Sequence, residues 1–313
     1  MTTTTTDLPM LIEEVECVSV ERVSPSFVRV ELGSPALAEL DRNDRSYDQR
    51  VKLIFADGDH PLPSFAGADD SWYATWMTKP LSERGHMRTY TVREVRGEGV
   101  DTRLVVDFIV HDGDCGPGGT WGARARVGDR LVLMAPRRGY LYGGIEFVPG
   151  DASRLLLVGD ETAVPAIAAI LEQLDVGAQG AAFLEVPFSD DVLTLQHPPG
   201  ISVHWVPRDG APRGEALDVA VLGYLGAGPV DLDVSDDEVD PDLWETPTHS
   251  SSGEDVAEHA GPVGHDWDGL YAWIAGESKI VTGLRRALVK DLGIDRHQVA
   301  FMGYWRHGVA MRS

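Results

Sequence analysis

Apolar and polar positions alternate with a period of two along most of the first half of the chain. Between about residues 11 and 148 the alternating runs are SFVRVEL, RVKLIF, RTYTVREV, RLVVDFIVH and DRLVLMAP. Glycine, proline, aspartate and asparagine separate these runs, and few helical stretches interrupt them. Short, closely spaced alternating runs are typical of half-buried antiparallel strands, so the pattern predicts an antiparallel β-barrel or sandwich.

The pattern changes near residue 150. The apolar strand RLLLVG runs into DETAVPAIAAILEQL, whose apolar residues have helical spacing, and the strand AAFLEV follows. The same alternation continues with ISVHWV, EALDVAVLGYL, LYAWIAG, ESKIVTGLRRALVKDLG and QVAFMGYW. Strands alternating with helices predict a parallel sheet covered by helices. The sequence therefore predicts two domains, an antiparallel barrel over 11–149 and an α/β domain over 150–313.

An acidic segment interrupts the second domain at about residues 228–266. The chain has 27 Lys and Arg against 50 Asp and Glu, a formal net charge of −23. Residues 231–268 hold 13 of the acidic residues and no Lys or Arg. The segment is rich in Ser, Pro and Gly and poor in aliphatic residues, so its composition predicts a disordered or loosely attached insert.

Charge and composition exclude several classes of function. A net charge of −23 argues against nucleic acid or an anionic membrane as the main partner. No apolar run approaches the roughly 20 residues of a membrane helix, and the N-terminus has no signal-peptide pattern, so we expect a cytoplasmic protein without stable membrane insertion. Cys17 and Cys115 have no C-x-x-C spacing or histidine cluster, so no metal site is expected.

Two stretches of the first half indicate a cofactor. RTYTVR, at 88–93, places two arginines around a Tyr-Thr pair on a predicted strand. HDGDCGPGGTWGARA, at 111–125, is a glycine-rich turn that leads into a short helix. Glycines let backbone amides approach a phosphate, and the start of a helix adds its dipole. Together the two stretches predict a ligand with both a phosphate and a flat ring.

Three stretches of the second half follow predicted parallel strands. LLLVGDETAVPAI, at 155–167, lies where a dinucleotide-binding fold has its first strand-to-helix turn, but it lacks the G-x-G-x-x-G pattern. WIAGES, at 273–278, and GYWRHG, at 303–308, end two further strands. Ligands usually bind at the carboxyl ends of such strands. No nucleophile elbow, zinc-protease motif or phosphate-binding Walker motif is present in the chain.

In this order the motifs resemble those of the siderophore-interacting protein family, flavin-dependent ferric-siderophore reductases distantly related to ferredoxin reductases. The resemblance covers nearly the whole chain apart from the N-terminal threonine run and the acidic insert. It implies an FAD-binding barrel and an NAD(P)H-binding-like α/β domain. Electrons would pass from NADPH, NADH or a reduced ferredoxin to FAD and then to the Fe(III) of a ferric siderophore. A general flavin or ferredoxin-type reductase, or a non-catalytic FAD or ferric-chelate carrier, remains an alternative.

The resemblance also implies the residues that hold FAD. Arg88 would pair with the pyrophosphate, Tyr90 would pack on the isoalloxazine, Thr91 would bond near the reactive ring nitrogen, and no side chain would act as catalytic acid or base. Asp160 could instead simply cap the following helix, together with Thr162. The full set of implied FAD contacts is Arg88, Thr89, Tyr90, Thr91, Arg93, Asp107, His111, Gly116, Pro117, Gly118, Gly119, Thr120, Trp121, Asp160, Thr162 and Ala163.

Three basic residues match positions at which the family places cations over the flavin. They are Lys52 in RVKLIF, Arg137 in APRRGY and Arg306 in GYWRHG. An anionic ferric siderophore would need such a patch on an acidic protein, although solvated cations at strand ends would look the same. The family usually has GPRG where this chain has APRR, so Arg137 and Arg138 are not distinguished.

Overall fold

The computed structural model describes residues 8–42, 44–111, 116–227 and 267–309, together with 232, 234, 235, 239, 244–246 and 249–250. The chain divides into two compact units between Ile145 and Glu146. This division lies near the boundary predicted at 149–150.

The first unit is built on a seven-stranded antiparallel sheet. In chain order its strands are β1 (Met10–Arg22), β2 (Phe27–Gly33), β3 (Arg50–Phe55), β4 (His86–Thr91), β5 (Glu94–Arg96), β6 (Arg103–Ile109) and β7 (Arg130–Pro136). Their spatial order is β4-β3-β7-β1-β2-β6-β5. The sheet curls, and just beyond β4 the amide of Arg93 donates to the carbonyl of Val105 on β6 at 2.9 Å. The predicted antiparallel domain is confirmed, in the form of a half-barrel.

The alternation of apolar and polar residues along the strands explains why the sheet has one buried face. On β2, Val28, Val30 and Leu32 are buried while Arg29 and Glu31 between them are half-buried. The buried residues join one apolar core inside the curl. In the described part of this unit three α-helices accompany the sheet: α1 (Trp72–Thr78) and α2 (Leu81–Arg84) in the connection from β3 to β4, and α3 (Gly116–Arg124) between β6 and β7. Short 3-10 helices lie at Pro35–Glu39 and Gly99–Asp101.

The second unit is an α/β sandwich around a mainly parallel sheet. Its strands are β8 (Arg154–Gly159), β9 (Gly180–Val186), β10 (Ile201–Pro207), β11 (Trp244–Thr246), β12 (His249–Ser250), β13 (Leu270–Glu277) and β14 (Val299–Trp305). The order is β10-β9-β8-β13-β14-β11-β12, with parallel pairing from β10 to β14. The helices are α4 (Val164–Gln173), α5 (Glu215–Tyr224) and α6 (Ser278–Arg285), and α6 continues as a π-helix over Arg286–Asp291. The predicted α/β domain is confirmed.

The strand order reverses between the parallel neighbours β8 and β13: from β8 the chain adds β9 and β10 on one side, and from β13 it adds β14 on the other. Every residue of β13 is buried, as expected for a parallel strand covered on both faces. The turns after β8, β13 and β14 are therefore brought to one edge of the sheet. This is the edge at which open α/β sheets bind ligands.

Part of the acidic segment is ordered. Strand β11 pairs with β14 through Trp244↔Met302 and Glu245↔Phe301, and the Trp244 ring stacks on Tyr304 with centroids 6.0 Å apart. Val234 is also buried. Residues Trp244 and Glu245 of the predicted insert thus pair with the sheet, and disorder of the insert as a whole stays a prediction. The remaining residues of 228–266 lie outside the described part of the chain.

Within the described ranges, no helix is long and apolar enough to cross a membrane. Among the same residues, no group of three or more His, Cys, Asp or Glu side chains is arranged to hold a metal ion.

Candidate functional site

Strand β4 carries the predicted cofactor residues on two faces. Tyr90 packs against the apolar core of the half-barrel, whereas Thr89 lies on the opposite face, where it is paired across the strands with Lys52 of β3. The buried Thr91 shares the face of Thr89. Successive side chains of a strand point to opposite faces, and Thr89, Tyr90 and Thr91 follow this rule.

Tyr90 belongs to an aromatic cluster. Its ring centroid lies 4.7 Å from that of Phe108 on β6 and 6.2 Å from that of Phe55 on β3. Trp121 of α3 extends the cluster, with centroids 5.2 Å from Phe108 and 5.8 Å from Phe55. Burial raises the pKa of the Tyr90 phenol, so the ring is neutral. The cluster fixes the ring orientation and leaves Tyr90 only half-buried.

Helix α3 lies directly against this cluster because it contains glycines. A Cβ atom at Gly118 would be 2.1 Å from the Tyr90 hydroxyl oxygen, and one at Gly122 would be 2.6 Å from the Cβ of Phe108. Any side chain at these two positions would push the helix outward. The glycines therefore bring the start of α3 into contact with the strand that carries Arg88 and Tyr90.

Gly116–Thr120 is the first turn of α3 itself. The prediction that these residues form a turn before the helix is wrong, because the helix already begins at Gly116. The amides of a first helical turn have no partner within the helix and favour an anion. Pro117 has no N–H, which makes the start of a helix its preferred position. Thr120 is exposed on this turn, and Gly118 and Gly119 are buried.

Replacing Gly122 with alanine should destabilise the protein by about 1–3 kcal/mol, because the added methyl group would overlap Phe108 in the core. Gly223 in α5 is the matched control: no atom lies within 4 Å of a Cβ built there. Gly223→Ala should be neutral or stabilising by up to about 1 kcal/mol, as for alanine in a helix. Thermal unfolding of both variants checks this, and equal melting temperatures would contradict the contact between α3 and β6.

Arg88 lies on the same face of β4 as Tyr90. Its Nη1 donates to the carbonyl of Met87 at 2.7 Å, and burial lowers the pKa of the guanidinium. An arginine nevertheless stays charged in the folded protein. The side chain therefore places a half-buried positive charge beside Tyr90 and on the strand that contacts α3.

Asp107 forms a buried ion pair that the sequence did not reveal. Its two oxygens accept from Nε and Nη2 of Arg29, each at 2.7 Å, and Arg93 Nε lies 3.8 Å away. Arg29 of β2 is directly opposite Asp107 of β6 in the sheet register. The carboxylate thus links two strands and holds Arg93. The structure gives Asp107 a part in positioning Arg93, and a direct contact of Asp107 with the cofactor stays a prediction.

His111 and Trp121 complete the implied FAD contacts of the first unit. His111 is half-buried and stands immediately before 112–115, which lie outside the described residues. Trp121 is half-buried within the aromatic cluster. Their contacts with the cofactor stay predictions.

Lys52 is the most distinctive of the three predicted substrate residues. Its Nζ donates to the Thr89 hydroxyl at 2.6 Å. Among the described residues, no carboxylate oxygen lies within 4.0 Å of this nitrogen. Burial, and secondarily the charge of Arg50, lowers the pKa of the Lys52 amine. Thr89, predicted as a cofactor contact, is thus a partner of Lys52.

The other two predicted substrate residues, Arg137 and Arg306, lie in different units of the structure. Arg137 follows β7, the neighbour of β3 in the first unit, and is half-buried, whereas Arg138 is exposed and donates to the carbonyl of Ala38 at 2.8 Å. Arg306 follows β14 in the second unit. A basic patch of Lys52, Arg137 and Arg306 stays a prediction.

Asp160 joins three turns at the carboxyl edge of the second sheet. Its Oδ1 accepts from the amide and hydroxyl of Thr162, at 2.8 and 2.6 Å. Its Oδ2 accepts from the Glu277 amide at 2.8 Å and from Trp305 Nε1 at 2.7 Å. Burial, and then the neighbouring Glu161, raises the pKa of Asp160 to about 7. Sequence motifs that are far apart in the chain, GDETA, AGES and GYWRHG, therefore meet at this carboxylate.

Asp160 caps the turn that leads into α4 rather than the helix itself, since its Oδ1 accepts from the Thr162 amide at 2.8 Å and its carbonyl accepts from the Val164 amide at 3.2 Å. Helix α4 begins at Val164, its N-cap residue is Ala163, and no side chain caps it. The carboxylate instead holds the turn and the neighbouring strands. Contacts of Asp160, Thr162 and Ala163 with the adenosine side of FAD stay predictions.

Arg208 was missed by the sequence analysis. It follows β10, and its guanidinium bonds the fully buried Glu161 at 2.8 and 3.0 Å and the fully buried Glu185 at 2.8 Å. Glu185 also accepts from the Gly214 amide at 2.8 Å. The only sequence signal was an arginine directly after a predicted strand, which does not identify its partners.

Arg213 extends this network to Trp305. Its guanidinium carbon lies 5.0 Å from the centre of the indole, and Nη2 is 3.8 Å from Glu161. Ion pairs join Arg208 and Arg213 to Glu161, a cation–π contact joins Arg213 to Trp305, and a hydrogen bond joins Trp305 to Asp160. They fix the edge of the sheet at which a nucleotide would bind.

Two family models match the chain. The model described as siderophore-interacting FAD-binding domain matches residues 16–140, and the model described as siderophore-interacting protein matches residues 152–308. The two matches correspond closely to the two units of the structure.

Individual proteins are similar over nearly the whole chain. The NADPH-dependent ferric-chelate reductase of Escherichia coli K12 is 32% identical over 298 residues, 93% of this chain and 92% of its own length. The ferric vibriobactin reductase of Vibrio cholerae is 29% identical over 289 residues, 91% of this chain and 86% of its own. A crystal structure of a siderophore utilization protein from T. fusca superposes with a TM-score of 0.66 at 30% identity, covering 98% of this chain and 97% of that one.

Proposed function

Because the chain belongs to the siderophore-interacting protein family, with a siderophore-interacting FAD-binding domain as its first unit, we propose that it reduces ferric siderophores and releases Fe(II). It is an FAD-dependent oxidoreductase. The observation that carries the proposal is the contact between the first turn of α3 and Tyr90, since a Cβ at Gly118 would be 2.1 Å from the Tyr90 hydroxyl. The contact places the first turn of α3, which is suited to bind a phosphate, beside Tyr90, which is suited to pack against a flat ring.

The residues of the first unit fit FAD. Arg88 and the first turn of α3 supply positive charge and amides for the diphosphate, and Tyr90 supplies an aromatic surface whose orientation is fixed by Phe108. When bound, FAD supplies the redox chemistry, accepting two electrons from a donor and passing them on singly. The protein binds and orients the cofactor, and Arg93, held by Asp107, lies two residues beyond the end of β4.

The positive side chains near the proposed flavin site support an anionic substrate. Many ferric siderophores are anionic, and a chain with a net charge of −23 needs local cations to bind one. Lys52 and Arg137 supply them in the first unit, and Arg306 is the candidate in the second. Hard oxygen donors hold Fe(III) better than Fe(II), so reduction loosens the iron from its chelator.

A pyridine nucleotide is the proposed electron donor. The printed name of the E. coli relative specifies NADPH. The carboxyl edge of the second sheet, organised by Asp160 and Arg208, is the candidate nucleotide site. NADPH, NADH and a reduced ferredoxin are the three donors to compare, and we place the reaction in the cytoplasm, where these donors are found.

The test compares initial rates on three acceptors. The purified yellow protein is supplied with NADPH, NADH or reduced ferredoxin, and with a ferric catecholate, a ferric hydroxamate or free flavin. We expect the flavin to bleach with at least one donor and iron to be released faster than free flavin is reduced. Preference for free flavin would indicate a general flavin reductase. A flavin that no donor bleaches would indicate a carrier without turnover.

A further inference from the structure

The strand order of the second sheet determines where a bound dinucleotide would place its adenosine half. The parallel strands lie in the order β10-β9-β8-β13-β14, which is the doubly wound order of dinucleotide-binding sheets. In such sheets the adenosine ribose lies beyond the second strand of the chain, where an acidic side chain bonds its 2′-hydroxyl or an arginine accommodates a 2′-phosphate. The second strand here is β9, with β10 beside it. The turns over 187–191 and 208–213 therefore form the edge that would meet this ribose, and we call them the ribose rim.

Hydrogen bonds join the two turns of the ribose rim. The amides of Arg208 and Asp209 donate to the carbonyls at the end of β9, at 2.9 and 3.0 Å. The Asp209 carboxylate accepts from the amide and the hydroxyl of Ser189, at 2.8 and 2.5 Å. Asp209 has a left-handed backbone with a φ of 45°, which aspartate adopts more readily than most residues. The two turns thus hold the exposed carboxylate of Asp209 in one position.

Both cations of the ribose rim contact buried carboxylates of the protein itself. From the end of β9 to the end of α5 the chain has two arginines, no lysine and five Asp or Glu. Arg208 bonds Glu161 and Glu185, and only 7% of its side chain is exposed. The Arg213 guanidinium lies against Trp305 and 3.8 Å from Glu161. Moving either guanidinium onto a ligand phosphate would weaken the neutralisation of the fully buried Glu161, which costs stability.

Exposed carboxylates occupy the outer side of the ribose rim. Asp190 and Asp209 are exposed, and Glu215 is exposed in the first turn of α5, directly after the rim. The hydroxyl and the amide of Ser189 hold the pKa of Asp209 below its ordinary value, so this carboxylate is charged at neutral pH. A phosphate monoester carries about two negative charges at this pH, and these carboxylates would repel it. The 2′-hydroxyl of NADH is neutral and can donate to a carboxylate.

We propose that this chain takes NADH as its electron donor and discriminates against NADPH, with Asp209 as the residue that rejects the 2′-phosphate. The inference rests on the proposed reductase function and names its donor. It differs from the printed name of the E. coli relative, which specifies NADPH. The observation that carries it is the pairing of Arg208 with Glu161 and Glu185, because the ribose rim then presents a carboxylate where an arginine would accommodate the phosphate.

Binding is measured with the tetrahydro analogues of NADH and NADPH, which differ by the 2′-phosphate and cannot donate a hydride. Titration calorimetry on the oxidised holoenzyme gives both Kd values. We expect the NADH analogue to bind at least about tenfold more tightly than the NADPH analogue. Raising the salt concentration from about 0.01 M to about 1 M shortens the Debye length from about 30 Å to about 3 Å, so the preference should narrow. Equal affinities, or tighter binding of the NADPH analogue, would overturn the inference.

Asp209→Asn isolates the charge, because asparagine has nearly the same size and also adopts the left-handed backbone. It should improve the Kd of the NADPH analogue at least about fivefold and leave that of the NADH analogue within about threefold. Asp291→Asn, on an exposed residue at the end of the π-helix that continues α6, is the control and should keep the wild-type ratio. An unchanged ratio in Asp209→Asn would refute the role of this carboxylate.

Arg213→Ala tests whether a cation of the ribose rim binds the phosphate after all. We expect it to leave the ratio of the two Kd values unchanged, since the guanidinium lies on Trp305. If it weakens binding of the NADPH analogue alone, Arg213 leaves Trp305 to hold the 2′-phosphate, and the inference is wrong.

The reductase function is tested separately, without any nucleotide. FAD in the holoenzyme is reduced with a stoichiometric amount of dithionite and then mixed with a ferric catecholate. Iron release from a protein that binds neither analogue would overturn the inference and leave the reductase function in place. Absence of iron release from the reduced holoenzyme would contradict the reductase function itself, so the two failures are distinguishable.

Discussion

Replacement of Arg208 by alanine should lower the free energy of unfolding by about 3–5 kcal/mol, the usual cost of removing one partner from a buried ion pair. Glu161 and Glu185 are both fully buried, and Arg208 bonds each of them at 2.8 Å. Without it, the nearest remaining cation for Glu161 is Arg213, 3.8 Å away. Two carboxylates would then share a site that excludes water. Thermal unfolding should show a decrease in melting temperature of roughly 10 °C.

A triple variant separates charge from packing. Arg208→Met combined with Glu161→Gln and Glu185→Gln removes the cation and both negative charges while it keeps most of the volume. It should recover part of the lost stability, because no buried charge is left without a partner. Lys290→Ala, on an exposed residue, should change stability by less than about 0.5 kcal/mol. If Arg208→Ala unfolds like Lys290→Ala, the buried network does not stabilise the second unit.

Arg88→Ala should release FAD, with a Kd at least tenfold higher than that of the wild type. A charge-assisted hydrogen bond contributes about 1.5–3 kcal/mol, and each 1.4 kcal/mol is a factor of ten in affinity. Arg88 is half-buried beside Tyr90, so water screens its charge less than that of an exposed arginine. Gel filtration followed by the visible absorbance of the protein fraction measures the retained flavin. Titration with added FAD gives the Kd.

Two variants serve as comparisons for Arg88→Ala. Arg88→Lys keeps the positive charge but loses the planar fork, so it should bind FAD with intermediate affinity. Arg126 is exposed in the turn after α3, and Arg126→Ala should retain FAD as the wild type does. Stoichiometric flavin in purified Arg88→Ala would contradict the placement of the diphosphate beside β4 and α3.

Periodicity was sufficient to predict the two architectures. The alternation of Val28, Val30 and Leu32 with Arg29 and Glu31 gives a strand with one buried face, and the run LYAWIA in β13 gives a buried parallel strand. Each of these patterns spans only a few consecutive residues, so it can be recognised in one sequence without knowledge of the fold. The motifs of the candidate site were found for the same reason, because each occupies a few consecutive residues after a predicted strand.

The ion pairs could not be predicted because they depend on register and topology. Arg29 meets Asp107 only because β2 and β6 pair with these residues opposite each other, 78 positions apart in the chain. Arg208 meets Glu161 and Glu185 because three parallel strands end at one edge. Composition does not predict the contact of Trp244 either, since the average acidity of the segment conceals one aromatic side chain with a partner on β14.

The pairing of β11 with β14 has a consequence for the solubility of the second unit. A terminal strand of a sheet exposes N–H and C=O groups that can pair with another chain, and proteins protect such edges to avoid aggregation. In this sheet Glu245 and Trp244 lie across from Phe301 and Met302, so the acidic segment itself shields that side of β14. A shortened chain without it would leave an apolar strand open to self-association. A segment that resembles a dispensable spacer thus supplies the neighbouring strand of β14 on this side of the sheet.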